Sequence, residues 1–342
     1  MAGDGYRVGV LGATGLVGTT ILELLASRGF PATEVVPFAS ERSLGRELEW
    51  NGSTLSCRVL SEDSIQGLDL VLSSAGGSVS AEWTPQLVAA GATVVDNTSY
   101  WRMHDEVPLV VSEVNPEALA GHNGIVANPN CSTMQMVVAL KPLFDEAGIE
   151  RLVVSTYQAV SGTGKAAIDE LNEQAHAVLH GQEPEASIYP QQIAFNVLAQ
   201  AGSFPAGDDH TDEERKLINE TRKILGDREI RVSATCVRVP VVTGHSEAVN
   251  VQTREPLSPE RARELLEAAP GVTVVDDPAA ARFPMAIEAA GRDDVLVGRI
   301  RRDPGNERAL DLFVVADNLR KGAATNAVQI AELLVERDLL SR

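Results

Sequence analysis

Two rhythms of apolar and polar residues divide the sequence, and they change near residue 130. The first begins with a short apolar run, Tyr6 to Leu11, followed by Gly12-Ala13-Thr14-Gly15-Leu16-Val17-Gly18. From Thr19 to Ser27 the apolar positions Ile21, Leu22, Leu24 and Leu25 recur at helical spacing and stop before Gly29. Further strand-like runs lie at Glu34–Phe38, Leu68–Ser73, Thr93–Asp96, Leu109–Val111 and Ile125–Ala127, with helix-like segments between several of them. Strands alternating with helices predict a parallel sheet with crossover helices, so residues 1–130 read as a doubly wound nucleotide-binding domain. The second rhythm is longer and alternates apolar with polar residues, at Arg151–Gln158, Val232–Val239, Ala248–Thr253, Val295–Arg301 and Ala309–Val315. That suits a largely antiparallel sheet covered on one face. Helices are expected at Met134–Leu143, Ala166–His180, Asp212–Leu225 and Pro259–Ala268, and a loop at Ala201–Asp209. The segment Gly322 to Leu340 is amphipathic and is expected to return to the first domain. The fold class is therefore α/β: a Rossmann-type domain (1–130 with 322–342) plus an α+β domain (131–321).

The thiol of Cys131 stands where Asn128-Pro129-Asn130 runs into the apolar segment that starts at Met134. Pro129 disfavours helical geometry at Asn128, so a helix should begin just after it, with Asn130 as N-cap and Cys131 in the first turn. Free N–H groups and the positive end of the helix dipole favour a thiolate there, the form that attacks carbonyl carbon. A buried structural thiol is the other reading of the same residues.

The spacing Gly12-x-x-Gly15-x-x-Gly18, after a strand and opening a helix, is that of a turn cradling a pyrophosphate. The second strand ends near Ala39-Ser40-Glu41-Arg42-Ser43 without the carboxylate that would hold a ribose 2′-hydroxyl. Arg42 and Ser43 instead suit a 2′-phosphate, which favours NADP; Glu41 opposes it if turned inward, and a plain polar loop is the alternative. A second glycine-rich turn, Ser161-Gly162-Thr163-Gly164-Lys165, follows a strand but lacks P-loop spacing, so an ATP site is not expected. It offers backbone for a flat ring, with Gln158 placed to orient a carbonyl. Arg238 and His245 flank a strand end at Pro240 and Gly244. Arg238 suits a two-pronged bond to a carboxylate, and His245 is a candidate general acid/base. Glu213 and Lys216 share a helix face, where a surface ion pair is the simpler reading. His176 and His180 have i, i+4 spacing but no third ligand nearby in sequence, so no metal is expected.

Composition narrows the partners. The net charge is −19, from 48 acidic and 29 basic residues. Such a surface repels nucleic acid and anionic membranes, and it repels small anions unless basic groups gather at one place. No apolar window is long enough for a membrane span, and the N-terminus has no basic-then-apolar leader. Three scattered cysteines (Cys57, Cys131, Cys236) build neither a disulfide framework nor a zinc site, which points to a reducing, cytoplasmic setting.

These residues together resemble the aspartate-β-semialdehyde dehydrogenase family. The matching strings are GATGLVG (12–18), VVDNTSYWRM (94–103), GIVANPNCSTMQMVVALKPL (124–143), YQAVSGTGK (157–165), IAFN (193–196), RVPV with GHSE (238–247) and DNLRKGAATNAVQIAE (317–332). The resemblance implies NADP-dependent interconversion of L-aspartyl-4-phosphate and aspartate-4-semialdehyde, on the route to lysine, threonine and methionine. It implies Cys131 as nucleophile and thioester carrier, His245 as acid/base, Gln158 as positioning group and Arg238 for the substrate α-carboxylate. Arg102, Asn130 and Lys216 would hold phosphate, with Glu213 near the substrate amino group. The cofactor would meet Gly12, Thr14, Gly15, Leu16, Val17, Arg42, Ser43, Ser161, Gly162 and Asn318. A homodimer joined through the second domain is implied as well. An acidic protein with a doubly anionic substrate then needs Arg102, Lys216 and Arg238 to converge. Tyr100-Trp101 is bulkier than the small-then-Phe pair expected before the phosphate arginine. N-acetyl-glutamyl-phosphate reductase is the nearest rival enzyme, but its Gly-Cys-Tyr type motif is not found here. A catalytically silent homologue is the rival from another class, opposed by the joint retention of Cys131, Gln158, Arg238 and His245.

Overall fold

A computed structural model describes residues 5–340; the outermost positions of the expected first domain, 1–4 and 341–342, lie outside the described residues. The chain divides into two compact units, one running to Asn130 and resuming at Ala323, the other Cys131–Gly322.

The first unit holds β1 (Tyr6–Leu11), α1 (Leu16–Ser27), β2 (Ala32–Phe38), β3 (Glu47–Trp50), β4 (Ser53–Ser56), β5 (Leu70–Ser73), α2 (Gly77–Ala89), β6 (Thr93–Asp96) and β7 (Ile125–Ala127). Five of these strands form a parallel sheet in the order β2-β1-β5-β6-β7. Helices cover its faces, which is why β5 and β6 are buried along their whole length. Ile21, Leu22, Leu24 and Leu25 of α1 pack into one core with Val8, Val10, Leu70 and Leu72. The C-terminal helix, Thr325–Glu336, adds Ala327, Val328, Ile330, Ala331 and Leu334 to the same core. It is shorter than the expected Gly322–Leu340 because a π-helical turn, Arg320–Ala324, precedes it. Arg28 pairs with Glu332 at 2.7 Å, fastening this helix beside α1.

Two elements differ from expectation. Leu109–Val111 forms only a single bridge, from Leu109 to Ala127, and its apolar side chains are core packing instead of a strand. The β3–β4 hairpin was not foreseen. It turns at Asn51-Gly52, both left-handed at φ 48° and 76°, the dipeptide favoured in tight hairpins.

The second unit contains α3 (Cys131–Ala147), β8 (Ile149–Gln158), α4 (Lys165–Leu179), α5 (Asp212–Leu225), β9 (Arg231–Arg238), β10 (His245–Thr253), α6 (Pro259–Ala268), β11 (Val272–Val274), β12 (Val295–Asp303) and β13 (Asn306–Ala316). Its sheet runs β11-β12-β13-β10-β8-β9. The three central pairings are antiparallel, while β8–β9 and β11–β12 are parallel. Helix α3 lies against β8, β10, β12 and β13 and buries Met134, Met136, Val137, Val138, Leu140 and Leu143. It continues past the expected Leu143 to Ala147 with Pro142 inside it. Strand β10 begins at His245, earlier than the expected Ala248, and it alternates strictly, with His245, Glu247, Val249, Val251 and Thr253 on the buried face, so polar residues on the inner side masked its start. A capping box starts α5: Glu214 N–H donates to Thr211 Oγ1 at 3.2 Å, and Thr211 N–H to Glu214 Oε2 at 2.9 Å. The same helix ends at Gly226, left-handed at φ 68°.

Candidate active site

In the first unit the turn after β1 is shaped for an anion. Gly12 is left-handed at φ 74°, and a Cβ on Gly18 would lie 2.2 Å from Gly12 O, so α1 can press onto the turn only without a side chain there. Gly15 caps α1 with no side-chain hydrogen bond, and the first helical turn, including Leu16 and Val17, has no acidic residue. Its N–H groups and dipole thus meet no protein anion, which fits the pyrophosphate of a dinucleotide; Thr14 lies partly buried in the turn. Beyond β2, Glu41, Arg42 and Ser43 form a 3₁₀ turn. Arg42 is exposed and makes no ion pair among the described residues, so its guanidinium fits a 2′-phosphate. Glu41 is exposed too, pointing to no buried repulsion.

Arg102 is buried and held by backbone. Its Nε donates to Asn128 O at 3.0 Å and its Nη2 to Asn97 O at 2.8 Å. The bulky Trp101 beside it is explained by a hydrogen bond. Trp101 Nε1 donates to Ser80 Oγ at 2.9 Å, and Ser80 donates to Asp96 Oδ2 at 2.7 Å. Asp96 also accepts from Thr98 N–H at 2.8 Å, so the loop before Arg102 is braced from inside. Asn130 is buried at the end of this unit.

In the second unit Cys131 is the first residue of α3 and is partly buried. No acidic residue stands in the first turn to oppose a thiolate. Gly322, which the sequence did not single out, packs on it: a Cβ there would be 2.8 Å from Cys131 Cβ. One turn along α3, Gln135 Nε2 donates to His245 O at 3.3 Å, tying the thiol-bearing helix to the start of β10.

Three neighbouring strand ends supply the rest. Gln158 ends β8 and is register partner of Arg238, which ends β9; His245 opens β10, adjacent to β8. Gln158 Nε2 donates to Glu213 Oε1 at 3.2 Å, and Lys216 Nζ donates to Glu213 Oε2 at 3.1 Å and to Asp212 Oδ2 at 2.9 Å. Glu213 is buried, so the pair is not the simple surface pair its spacing suggests. Burial pulls the Lys216 ammonium down, but Glu213 and Asp212 outweigh it and hold the group above the usual lysine range. Lys216 therefore stays charged.

The Arg238 guanidinium donates from Nη1 to Ala159 O at 2.7 Å and lies 5.8 Å over the Tyr189 ring. Its Nε is buried with no hydrogen-bond partner among the described residues, a donor left for an anion. Tyr189 is fixed in turn by α4: Glu170 accepts from the N–H groups of Ser187 at 2.8 Å and Tyr189 at 3.2 Å. Gln174 accepts from those of Ile193 and Ala194 at 2.8 and 3.1 Å.

His245 is fully buried. Its Nδ1 accepts the Ala159 N–H at 3.0 Å, and its Nε2 has no partner among the described residues. Burial, and then the Arg238 charge, hold its imidazolium well below the usual histidine range. A Cβ on Gly162 would come within 3.2 Å of His245 Nε2 and 3.3 Å of Arg238 Nη1, so the glycine lets backbone lie against both. Asn318 links two loops at this end: its Oδ1 accepts Gly244 N–H at 2.9 Å and its Nδ2 donates to Ser161 Oγ at 2.9 Å.

The second unit thus gathers Gln158, Ser161, Gly162, Glu213, Lys216, Arg238, His245 and Asn318 around three strand ends, with Cys131 on the helix tied to them. Gln135, Gly322 and Tyr189 were missed. Gln135 had a legible signal, its i+4 spacing from Cys131. His176 and His180 stack at 4.1 Å, and no group of three or more potential metal ligands exists among the described residues.

Residues 7–122 match the family model "Semialdehyde dehydrogenase, NAD binding domain", and residues 140–321 match "Semialdehyde dehydrogenase, dimerisation domain". The chain is 55% identical to the aspartate-semialdehyde dehydrogenase of Aquifex aeolicus, over 98% of this chain and 100% of that protein. It superposes with a TM-score of 0.95 on aspartate semialdehyde dehydrogenase II of Vibrio cholerae, complexed with ASA, at 49% identity, covering 97% and 99% of the two chains. The Candida albicans enzyme, crystallised with NADP, gives 0.75 at 27% identity, covering 98% and 100%.

Proposed function

From the premise that this chain belongs to the aspartate-semialdehyde dehydrogenase family, we propose that it interconverts L-aspartyl-4-phosphate and L-aspartate-4-semialdehyde with NADP and phosphate. The step feeds lysine, threonine and methionine synthesis in the cytoplasm. The single observation that carries this reading is the cluster at three strand ends of the second unit. There two cations of opposite tasks, the buried Arg238 and the half-buried Lys216, flank Gln158, and α3 carries the thiol.

Cys131 as thiolate attacks the acyl-phosphate carbonyl carbon; the carbon–oxygen bond to phosphate breaks and a thioester forms. Gln158 orients the acyl group, Glu213 meets the substrate ammonium, and Arg238 takes the α-carboxylate with its unpaired Nε and its guanidinium edge. Arg102, Asn130 and Lys216 hold the phosphate. The anion-shaped turn Gly12–Val17, with Arg42 and Ser43, binds the dinucleotide in the first domain; Ser161, Gly162 and Asn318 serve it from the second. The nicotinamide supplies or accepts hydride when bound. The second domain joins two copies as a homodimer, in keeping with the dimerisation family model it matches.

The test is an assay of phosphate-dependent NADP reduction with aspartate-4-semialdehyde and with N-acetyl-glutamate-5-semialdehyde. Turnover is expected with the first alone and only when phosphate is present. Turnover confined to the acetylated aldehyde, or indifferent to phosphate, would overturn the assignment.

A further inference from the structure

Lys216 is surrounded by more negative charge than its own charge balances. Its Nζ donates to Glu213 Oε2 at 3.1 Å and to Asp212 Oδ2 at 2.9 Å, so one ammonium faces two carboxylates. Glu213 has a further engagement, since its Oε1 accepts from Gln158 Nε2 at 3.2 Å. Asp212 has none of that kind, and Lys216 is the one cation it pairs with among the described residues.

The Asp212 contact is built into the fold and is more than a chance pair on a helix surface. Its Oδ1 accepts the Ser203 N–H at 2.6 Å, and its own N–H donates to Ser203 O at 2.8 Å. This two-way bond fastens the loop at 201–209 to the first turn of α5 and leaves Oδ2 for Lys216. Gly202 makes the approach possible: a Cβ there would lie 2.1 Å from Asp212 Oδ1, and its φ of 79° suits glycine. Further along the helix, Arg215 donates from Nε and Nη2 to the two Asp208 oxygens at 2.6 Å each, a second tie between loop and helix. Burial pushes the Asp212 carboxyl up, but its bonds from Lys216 and Ser203 outweigh that and hold it below the usual carboxylate range. The loop thus keeps a charged carboxylate beside Lys216 when another anion approaches.

Resting on the reading above that Lys216 holds phosphate, we propose that Asp212 is a positioning residue that competes with phosphate for the Lys216 ammonium and so sets how tightly phosphate binds. Between turnovers the carboxylate keeps the ammonium in place and offsets part of its charge. An ammonium has three N–H donors, and two of these already point at carboxylates. Arriving phosphate meets the remaining donor, and the fixed charge of Asp212 opposes a second anion at its side. The consequence depends on direction. When semialdehyde is made, phosphate is a product, and return of Lys216 to Asp212 helps it leave. When semialdehyde is consumed, the same pair raises the phosphate concentration that the enzyme needs.

The test is Asp212→Asn, assayed for NADP reduction with aspartate-4-semialdehyde while phosphate is varied. The amide oxygen keeps the Ser203 N–H, and the amide nitrogen offers Lys216 no acceptor. KM for phosphate is expected to fall about fivefold, the upper end for an ion pair partly in water, while KM for the aldehyde moves less. A merely loosened site would bind phosphate more weakly, so a fall reads the charge itself. Asp212→Ala, which drops the loop bond together with the charge, should shift KM for phosphate the same way and stands in if the amide variant does not fold. An unchanged or higher KM for phosphate would overturn the proposal. Lys216→Met separates the two failures. It should raise KM for phosphate, and Asp212→Asn should add nothing on that background. If Lys216→Met leaves KM for phosphate unchanged, Lys216 is not the phosphate cation and the reading beneath the proposal falls. If it raises KM for phosphate while Asp212→Asn alone changes nothing, the competition by Asp212 falls and that reading stands.

Discussion

A carboxylic acid sealed inside a protein without a cation keeps its proton, and Glu247 is in that position. It is fully buried, neither carboxyl oxygen has a hydrogen-bond partner among the described residues, and burial pushes its pKa well up, against a smaller opposing effect of Gln135. The acid form has a proton to give, and Gln135 Oε1 is a buried acceptor without a partner. Gln135 in turn donates to the His245 carbonyl. In the unfolded chain this group ionises in the ordinary glutamate range; in the folded protein it does so well above it. Between those limits the unfolded state binds fewer protons than the native one, so stability is fully present below the unfolded pKa and falls as pH rises. Glu247→Gln removes that loss. Its melting temperature should exceed the parent's by more at about pH 8 than at pH 5, the margin growing by at most about 1.4 kcal/mol per pH unit. A margin that does not change with pH would show the carboxyl to be ionised in the native state.

At the scale of elements, the start of α3 shows what local sequence can and cannot reveal. Pro129 and the apolar run from Met134 are enough to place Cys131 at a helix N-terminus. The partner that packs against it, Gly322, lies in a stretch with helical periodicity, where a glycine reads merely as a weak helix former. Gly322→Ala needs no unusual backbone angle but must push Cys131 aside. Turnover should fall by about 10²-fold through misplacement of the nucleophile, while NADP binding, measured by fluorescence titration, is kept. Parental turnover would mean that the contact does not set the thiol. Other gaps have the same cause. The spacing of Glu213 and Lys216 is that of any surface pair, and only the approach of Gln158 from β8 makes Glu213 an interior group. Leu109–Val111 carries strand-like residues but gains a single bridge, because the neighbouring edge at β7 is itself short. The Asn51-Gly52 turn was legible and overlooked. The parallel and mostly antiparallel sheets followed from the two rhythms, since burial on both faces or one dictates continuous or alternating apolar runs.

At the scale of the molecule, an acidic chain with net charge −19 would meet the anionic substrate proposed above with cations that are already fixed in place. Arg238 is fixed by a carbonyl and a tyrosine face, Lys216 by two carboxylates, and Arg102 by two backbone carbonyls, so each is preorganised before substrate arrives. The fold reflects the same division of labour. The nucleotide-binding unit is interrupted by the whole catalytic unit and completed by the C-terminal helix. The proposed reaction turns on one covalent event, and withholding phosphate would isolate it, since in that proposal phosphate takes the acyl chain from sulfur. The most direct measurement is mass spectrometry of the intact enzyme and its peptides after incubation with aspartate-4-semialdehyde and NADP without phosphate. One acyl group should accumulate on the peptide bearing Cys131, and added phosphate should discharge it. NADP reduction with no acyl group bound, or an acyl group found instead at Cys57 or Cys236, would contradict the thioester account.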